Sequence, residues 1–199
     1  MLKGLRKDLT GRAKICTTAT DFRQLQAAWY LLPGETVMFA FISSKKEFAF
    51  TNEALIMIVG ESATTTRKLV HRMSYQECPI YNVVFETTGR LDRDCAIQFR
   101  IGQTHVSIEI ARKEEASVKR FYKTLWLLGR EQETRMRTWE QAQKGLDRAA
   151  KSLTIRKGHE LVSQASHVAA WLENTFFQYN SRCYRDIITA AMKSTAPSV

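Results

Sequence analysis

The sequence predicts an α+β protein in which seven antiparallel strands form a sandwich or partly open barrel and a helix closes one end. Three observations support this. Three apolar runs follow one another between residues 35 and 60, separated only by turn-like breaks at 43–46 and 51–53. Further short runs up to residue 110 place apolar side chains at every second position, as strands do. From residue 114 the spacing changes to three or four, which predicts an amphipathic helix.

The seven strands follow one another as a meander with short hairpins. They are predicted at residues 36–41, 47–51, 55–59, 65–73, 80–88, 96–101 and 106–110. The third is apolar almost throughout, so we expect it to be buried on both faces. The closing helix spans residues 114–128, and it could continue to residue 152 because Gly129 need not end it. An earlier helix is predicted over residues 20–32, because Thr20 or Asp21 can cap its start and Pro33-Gly34 ends it.

Four short motifs occur in order along this region. They read Leu32-Pro33-Gly34-Glu35, Phe50-Thr51-Asn52-Glu53-Ala54-Leu55-Ile56, Ser74-Tyr75 and Phe85-Glu86-Thr87-Thr88-Gly89, with Asp92 and Asp94 behind the last. Over residues 30–128 the chain therefore resembles the bacterial-type pleckstrin-homology (PH) domain. The resemblance implies a PH-like sandwich, which agrees with the strand order. It also implies self-association, because members of that family assemble through sheet edges.

Residues 129–199 lie outside the resemblance and predict a helical hairpin. One apolar stripe runs from Met136 to Leu153, and a longer one runs from Leu161 to Ile187, with a break at 156–158. The second helix is apolar over more of its circumference than one partner helix covers, so we expect it to contact the sandwich or another protein. The residues predicted to form a protein contact are Trp171, Phe176, Phe177, Tyr184 and Ile188.

The net charge of +10 is concentrated in the two flanks of the chain. Lys and Arg outnumber Asp and Glu by six to two in residues 1–34, by 13 to 11 in 35–128 and by 11 to seven in 129–199. These three stretches are also the predicted parts of the chain: a basic helical segment, the PH-like domain and the hairpin. Basic flanks suit a membrane surface, nucleic acid or an acidic partner, and they also suit simple solvated Lys and Arg faces.

A diffuse anion-binding surface is predicted from five basic residues. Lys45 and Lys46 lie in the first hairpin, and Arg67, Lys68 and Arg72 lie on the fourth strand. Such a surface would bind anionic lipid weakly and in a salt-dependent manner. The second strand has no basic residue, which disfavours a specific head-group pocket, and edge lysines also protect sheets from aggregation. Peripheral membrane attachment is therefore the second hypothesis, after protein binding.

Other chemistries lack the residue patterns that they need. The sequence has no HExxH, P-loop or G-x-S-x-G motif, which predicts a non-enzyme without metal or cofactor. The four cysteines form no CxxC pair and fit reduced thiols in an intracellular protein. The aromatic residues are not interleaved with basic ones, so a nucleic-acid platform is not indicated. The basic, acid-poor first 20 residues also allow organelle targeting or membrane contact.

Overall fold

The fold is described by a computed structural model that covers residues 14–60, 67–87, 94–152 and 158–193, with 149–152 and 158–162 as backbone alone. The strands are β1 Thr17–Thr18, β2 Val37–Ile42, β3 Lys46–Thr51, β4 Ala54–Gly60, β5 Lys68–Ser74, β6 Ile80–Glu86, β7 Asp94–Ile101 and β8 Thr104–Ala111. They form a five-stranded sheet in the order β1-β2-β3-β4-β5 and a three-stranded sheet in the order β6-β7-β8. All neighbouring strands are antiparallel.

All seven predicted strands are present, and the described residues contain an eighth that the sequence did not predict. This is β1, in which Thr17 lies opposite Ile42 of β2. A strand of two residues is too short to show an alternation. The residue before it, Cys16, bridges to Ile110 of β8, and its N–H donates to the Glu109 carbonyl at 2.8 Å. This first described segment therefore ties the two sheets together at one edge.

The main core lies between the two sheets and helix α1, which spans Glu115–Ser152. Alternation along β2 and β3 points Phe39 and Phe50 inward, and their rings stack at 4.3 Å between centroids. Phe121 of α1 stacks on Phe39 at 4.8 Å. The predicted closing helix is thus confirmed as the element that completes the core, although it continues past residue 128 as one long helix.

The helix predicted over residues 20–32 is wrong. The segment contains two short 3-10 helices, Phe22–Gln24 and Gln26–Tyr30, and Leu25 between them has an extended backbone. The carboxylate of Glu47 on β3 accepts the N–H groups of Gln26 and Ala27 at 3.0 and 2.7 Å. It therefore fixes the start of the second 3-10 helix on the outer face of the sheet.

This segment covers the outer face of the five-stranded sheet. Leu25 and Ala27 are buried there against Ala49 and Ile56, in a second, smaller apolar cluster. Leu55 of β4 faces the main core and Ile56 faces this cluster. The prediction that this strand is buried on both faces is therefore confirmed.

The region after residue 129 contains three helical stretches instead of a simple hairpin. The second half of α1 is followed by α2, Gly158–Tyr179, and α3, Arg185–Lys193. The apolar stripe predicted as one helix up to residue 188 is broken at Asn180–Tyr184. In this break the Ser181 hydroxyl accepts the Cys183 N–H at 3.2 Å.

Helix α3 returns to the sandwich and becomes part of its core. Tyr184 and Ile188 are buried in the main cluster, and the Tyr184 N–H donates to the Asn52 carbonyl at 2.8 Å. The Arg135 guanidinium of α1 lies 4.4 Å from the centroid of the Tyr184 ring. The sequence placed Tyr184 and Ile188 on an exposed contact surface. The structure corrects this, because both are internal packing residues.

Candidate protein-interaction site

Helix α2 exposes most of its described side chains, several of which are apolar. It packs back along α1, where the ring of Phe176 meets that of Trp139 at 5.3 Å. Between residues 163 and 178 only Thr175 is buried and only Leu172 is half-buried, while all other side chains are exposed. Helices in proteins derive most of their stability from packing. Because nearly all side chains of α2 between residues 163 and 178 are exposed, the contacts with α1 cover only a small part of its surface.

The composition of α2 does not fit a helix that faces water. Its 22 residues include two acidic residues, Glu160 and Glu173, and no Lys or Arg. In contrast, 14 of the 38 residues of α1 are charged. An exposed helix normally carries polar and charged residues on its outer face. The outer face of α2 instead has the composition of a surface that is covered.

Two aromatic side chains lie on opposite flanks of α2. The Phe177 side chain is 65% exposed, and its position is roughly 140° around the helix from Leu172, at about 100° per residue. Trp171 is 46% exposed and lies roughly 100° from Leu172 in the other direction. Together with Phe176 these are the predicted contact residues that the structure leaves at the surface. We call Trp171, Phe176 and Phe177 the α2 aromatic surface.

The motif residues form a buried polar network, a role that the sequence did not reveal. The Glu35 carboxylate is fully buried and accepts the Leu32 N–H at 2.8 Å, the Arg72 guanidinium at 2.9 Å and the Thr51 hydroxyl. Burial raises the pKa of Glu35, but these hydrogen bonds outweigh it and hold the pKa below its usual value. Arg72, predicted to bind lipid, is therefore engaged within the fold.

The same network holds the C-terminal helix in place. The Asn52 side-chain oxygen accepts the Thr36 N–H at 2.7 Å, which fixes the turn between β3 and β4. Its amide nitrogen approaches the Cys183 sulfur at 3.3 Å, next to the Tyr184 bond described above. Arg185 reaches the Gly34 carbonyl at 3.2 Å. The first two motifs therefore anchor α3 and with it the end of α2.

The predicted anion-binding residues only partly come together. Lys45, Lys46 and Lys68 border one small cavity of about 40 Å³ at an end of the five-stranded sheet. Strand alternation, however, places Lys46 on the inner face with Phe48, whereas Lys68 lies on the outer face and donates to the Gln26 carbonyl oxygen at 2.7 Å. Arg67 is exposed just before β5. Of the basic residues in the first 20 positions, Lys14 is described and exposed, and the others lie outside the described residues.

Neither a metal cluster nor a membrane span occurs in the described part of the chain. No group of three or more His, Cys, Asp or Glu side chains gathers there in a way that could hold a metal ion. No helix among the same residues combines the length and apolar character needed to cross a bilayer.

An antiparallel sandwich of two sheets, a long helix that completes the core and this motif network define a PH-like protein. The chain belongs to the bacterial PH domain family, whose model matches residues 4–128. A crystal structure of a PH-domain-containing bacterial protein from Exiguobacterium sibiricum 255-15 is 27% identical, with a TM-score of 0.82 over 90% of this chain and 100% of that one. The uncharacterized protein YvbH of Bacillus subtilis strain 168 is 25% identical over 94% of this chain and 97% of its own length.

These similarities extend past the family model. A match over 90% of the chain is longer than residues 4–128, so it includes part of the helical region that follows. The arrangement of a PH-like sandwich with C-terminal helices is thus shared with the Exiguobacterium protein.

Proposed function

We propose that the chain is a non-enzymatic protein-interaction module that self-associates through the α2 aromatic surface. The observation that supports this is the exposure of a helix with two charges in 22 residues. Burying an aromatic side chain of this kind stabilises a contact by about 1.5–3 kcal/mol. The sandwich serves as the rigid base of the hairpin, because the first half of α1 lies in the core.

A second copy of the chain is the proposed partner. Each copy presents the same incompletely packed hairpin, and two such hairpins can form a four-helix bundle through a symmetric contact. The charges are complementary, since α2 has two acidic residues and no basic ones while α1 has nine basic and five acidic residues. The family resemblance also implies self-association, through sheet edges, so it supports a second copy as the partner but not the choice of α2 as the contact surface.

Molar mass in solution tests this proposal. One chain has a mass of 22.9 kDa. We expect the wild type to have a multiple of this mass by light scattering, and Phe177→Glu and Trp171→Glu to have the mass of one chain. Gln178→Glu is the matched control, because it adds the same charge to an exposed neighbour without removing an aromatic ring. It should keep the wild-type mass.

Circular dichroism separates loss of assembly from loss of fold. The charged variants should keep the wild-type spectrum and a cooperative unfolding transition. A wild type that stays at the mass of one chain at every concentration contradicts the proposal. So does a Phe177→Glu variant that unfolds completely, because that result would place α2 in the core of the single chain.

Attachment to anionic membranes is the second candidate, and one contact favours it. Lys68 is hydrogen-bonded to Gln26, at the start of the second 3-10 helix. In a 3-10 helix the side chains at i and i+3 eclipse, so Trp29, which is 88% exposed, lies on the same side as Gln26. A Trp next to lysines is the combination that anionic membrane interfaces attract.

Liposome co-sedimentation at about 0.05 and 0.3 M salt tests this candidate. We expect the protein to bind phosphatidylserine vesicles at low salt and to be released at high salt, with little binding to neutral vesicles. Lys45→Glu combined with Lys68→Glu should abolish binding and leave the oligomer mass unchanged. Absence of binding to phosphatidylserine at low salt would remove the candidate. Binding that survives both high salt and the substitutions would contradict the electrostatic mechanism.

A further inference from the structure

A groove of about 640 Å³ lies between strand β6 and helix α1. This volume is in the range of about 300–1,000 Å³ typical of ligand sites. At its base the helix touches the strand, because a Cβ atom on Gly129 would lie 2.3 Å from the Ile80 carbonyl oxygen. The groove is bordered by the start of β6 and by one face of α1 that includes Trp126, Arg130 and Met136.

The strand side of the groove is a sheet edge. Among the described residues β6 pairs with β7 alone, so its other side has no neighbouring strand, although the Ile80 N–H at its start already donates to the Gln132 side chain at 2.8 Å. The register of this pairing shifts between Tyr81 and Val84, and Asn82 between them has a left-handed φ of 52°. Irregularities of this kind recur next to functional sites in sheets. Tyr81 and Val84 are themselves exposed.

The helix side supplies apolar contacts and one cation. Trp126 is 48% exposed and Met136 is 51% exposed. The Arg130 guanidinium lies 5.3 Å from the centroid of the Trp126 ring, and it makes no salt bridge within the described part of the chain. The groove carboxylate of Glu133, in contrast, is bonded to Arg137 at 2.5 Å. The charge that the groove offers to a ligand is therefore positive.

We propose that this groove binds an extended acidic–apolar peptide segment of a partner protein as an added strand beside β6. The free edge can supply main-chain hydrogen bonds to such a segment. Alternate side chains of an extended peptide lie about 6.6 Å apart on one face, so successive apolar side chains can pack along the wall formed by Trp126 and Met136. Arg130 then pairs with an acidic side chain, and the overall charge of +10 favours an acidic partner.

A displayed library of random ten-residue peptides is the probe. We expect the full-length wild type to enrich peptides with alternating apolar residues, at least one Asp or Glu and no central proline. Arg130→Glu should instead enrich peptides with Lys or Arg, because the reversed charge reverses the preference. Lys113→Glu is the matched control: it reverses another exposed charge, just before α1, and should select the same peptides as the wild type. Trp126→Glu should enrich none.

The affinity of one enriched peptide then tests the geometry by fluorescence anisotropy. Arg130→Glu should weaken binding about tenfold or more, and a central proline in the peptide should abolish it, since proline lacks the N–H donor. The proposal is overturned if the wild type enriches nothing beyond Trp126→Glu, or if Arg130→Glu keeps the acidic preference. It is also overturned if Trp126→Glu lowers the oligomer mass, because a second copy would then occupy the groove.

Discussion

The contact between helix α1 and strand β6 predicts opposite effects for the same substitution at two glycines of one helix. At Gly129 an added Cβ atom would meet the Ile80 carbonyl oxygen at 2.3 Å, and the carbonyl carbon at 3.2 Å. At Gly145, farther along α1, an added Cβ atom meets nothing within 4 Å. Gly129→Ala must therefore displace backbone, whereas Gly145→Ala fills open space.

The magnitudes follow from two competing effects. Replacing glycine by alanine inside a helix stabilises it by about 0.8–1 kcal/mol. Gly145→Ala should therefore raise the free energy of unfolding by this amount, because the added Cβ atom meets no neighbour. At Gly129 the helix must move about 1 Å away from β6 to restore an ordinary contact, and overpacking of this kind costs typically about 1–3 kcal/mol, or more against rigid backbone. Because the neighbour at Gly129 is rigid backbone, the upper part of this range, about 2–3 kcal/mol, applies, and after the helix gain we expect Gly129→Ala to be destabilising by about 1–2 kcal/mol net.

Thermal unfolding of both variants and the wild type, at one protein concentration, measures these differences. For a chain of this size about 1 kcal/mol shifts the midpoint by about 2–4 °C. Gly145→Ala should raise the midpoint by a few degrees and Gly129→Ala should lower it by a similar or larger amount. If Gly129→Ala stabilises the chain as much as Gly145→Ala, the close approach between α1 and β6 is refuted, and with it the shape of the groove.

Three further predictions concern the buried polar groups and thiols. The side chain of Gln132 makes hydrogen bonds of 2.8, 2.6 and 3.2 Å to three backbone groups near the start of β6. Gln132→Leu should therefore lower the free energy of unfolding by about 2–4 kcal/mol. The same substitution at the exposed Gln141 should change it little, and equal effects of the two would contradict the network. The pKa of Glu35 lies below its ordinary value of 4.5 in the folded protein. The stability that ionised Glu35 provides is therefore present above pH 4.5 and is lost as the pH falls through the lower folded pKa. The urea midpoint should fall less steeply between pH 7 and pH 3 in Glu35→Gln than in the wild type, and an unchanged slope would refute this. Burial raises the pKa of the Cys16 thiol to about 11, which keeps it protonated and unreactive. A thiol reagent should therefore label the exposed Cys183 well before Cys16, as followed by time-resolved mass spectrometry. Equal labelling rates would contradict the burial of Cys16.

The strands were predictable because their signal is local. Alternation along β2, β3, β7 and β8 follows directly from which side chains face the core. The structure of residues 20–32 could not be predicted in the same way, because apolar residues spaced three apart fit an α-helix and a 3-10 helix equally well. The extended backbone at Leu25 separates the two short helices, and the carboxylate of Glu47, 20 residues farther along the chain, fixes the second. No local pattern contains that contact.

The end of α2 was partly visible in the sequence. Asn180 and Ser181 are turn-forming residues, and Asp186 lies in the first turn of α3, as acidic residues at helix starts often do. The apolar spacing continues through this break, so the sequence predicted a single helix where the structure has α2 and α3. Whether Tyr184 and Ile188 face a partner or the core depends on where α3 docks, and docking is set by distant residues such as Asn52.

The α2 aromatic surface and the groove beside β6 also differ in how far the sequence predicts them. Trp171 and Phe177 were predictable from the sequence, because a count of apolar positions is enough to show that the stripe on α2 is wider than one partner helix covers. The groove beside β6 gave no such signal. Trp126 directly follows the buried Leu125 in the same apolar pattern, and only the position of α1 over the sheet leaves Trp126 exposed.

Site-specific photo-crosslinking at position 177 tests the central claim most directly. A photo-reactive aromatic amino acid in place of Phe177 keeps the apolar side chain and joins it covalently to whatever covers α2. We expect crosslinked dimers whose peptides connect position 177 to α1 or α2 of a second chain, whereas the same group at Trp29, which is more exposed, should give none. Crosslinks from position 177 that stay within one chain, or equal dimer yields from both positions, would contradict self-association through the α2 aromatic surface.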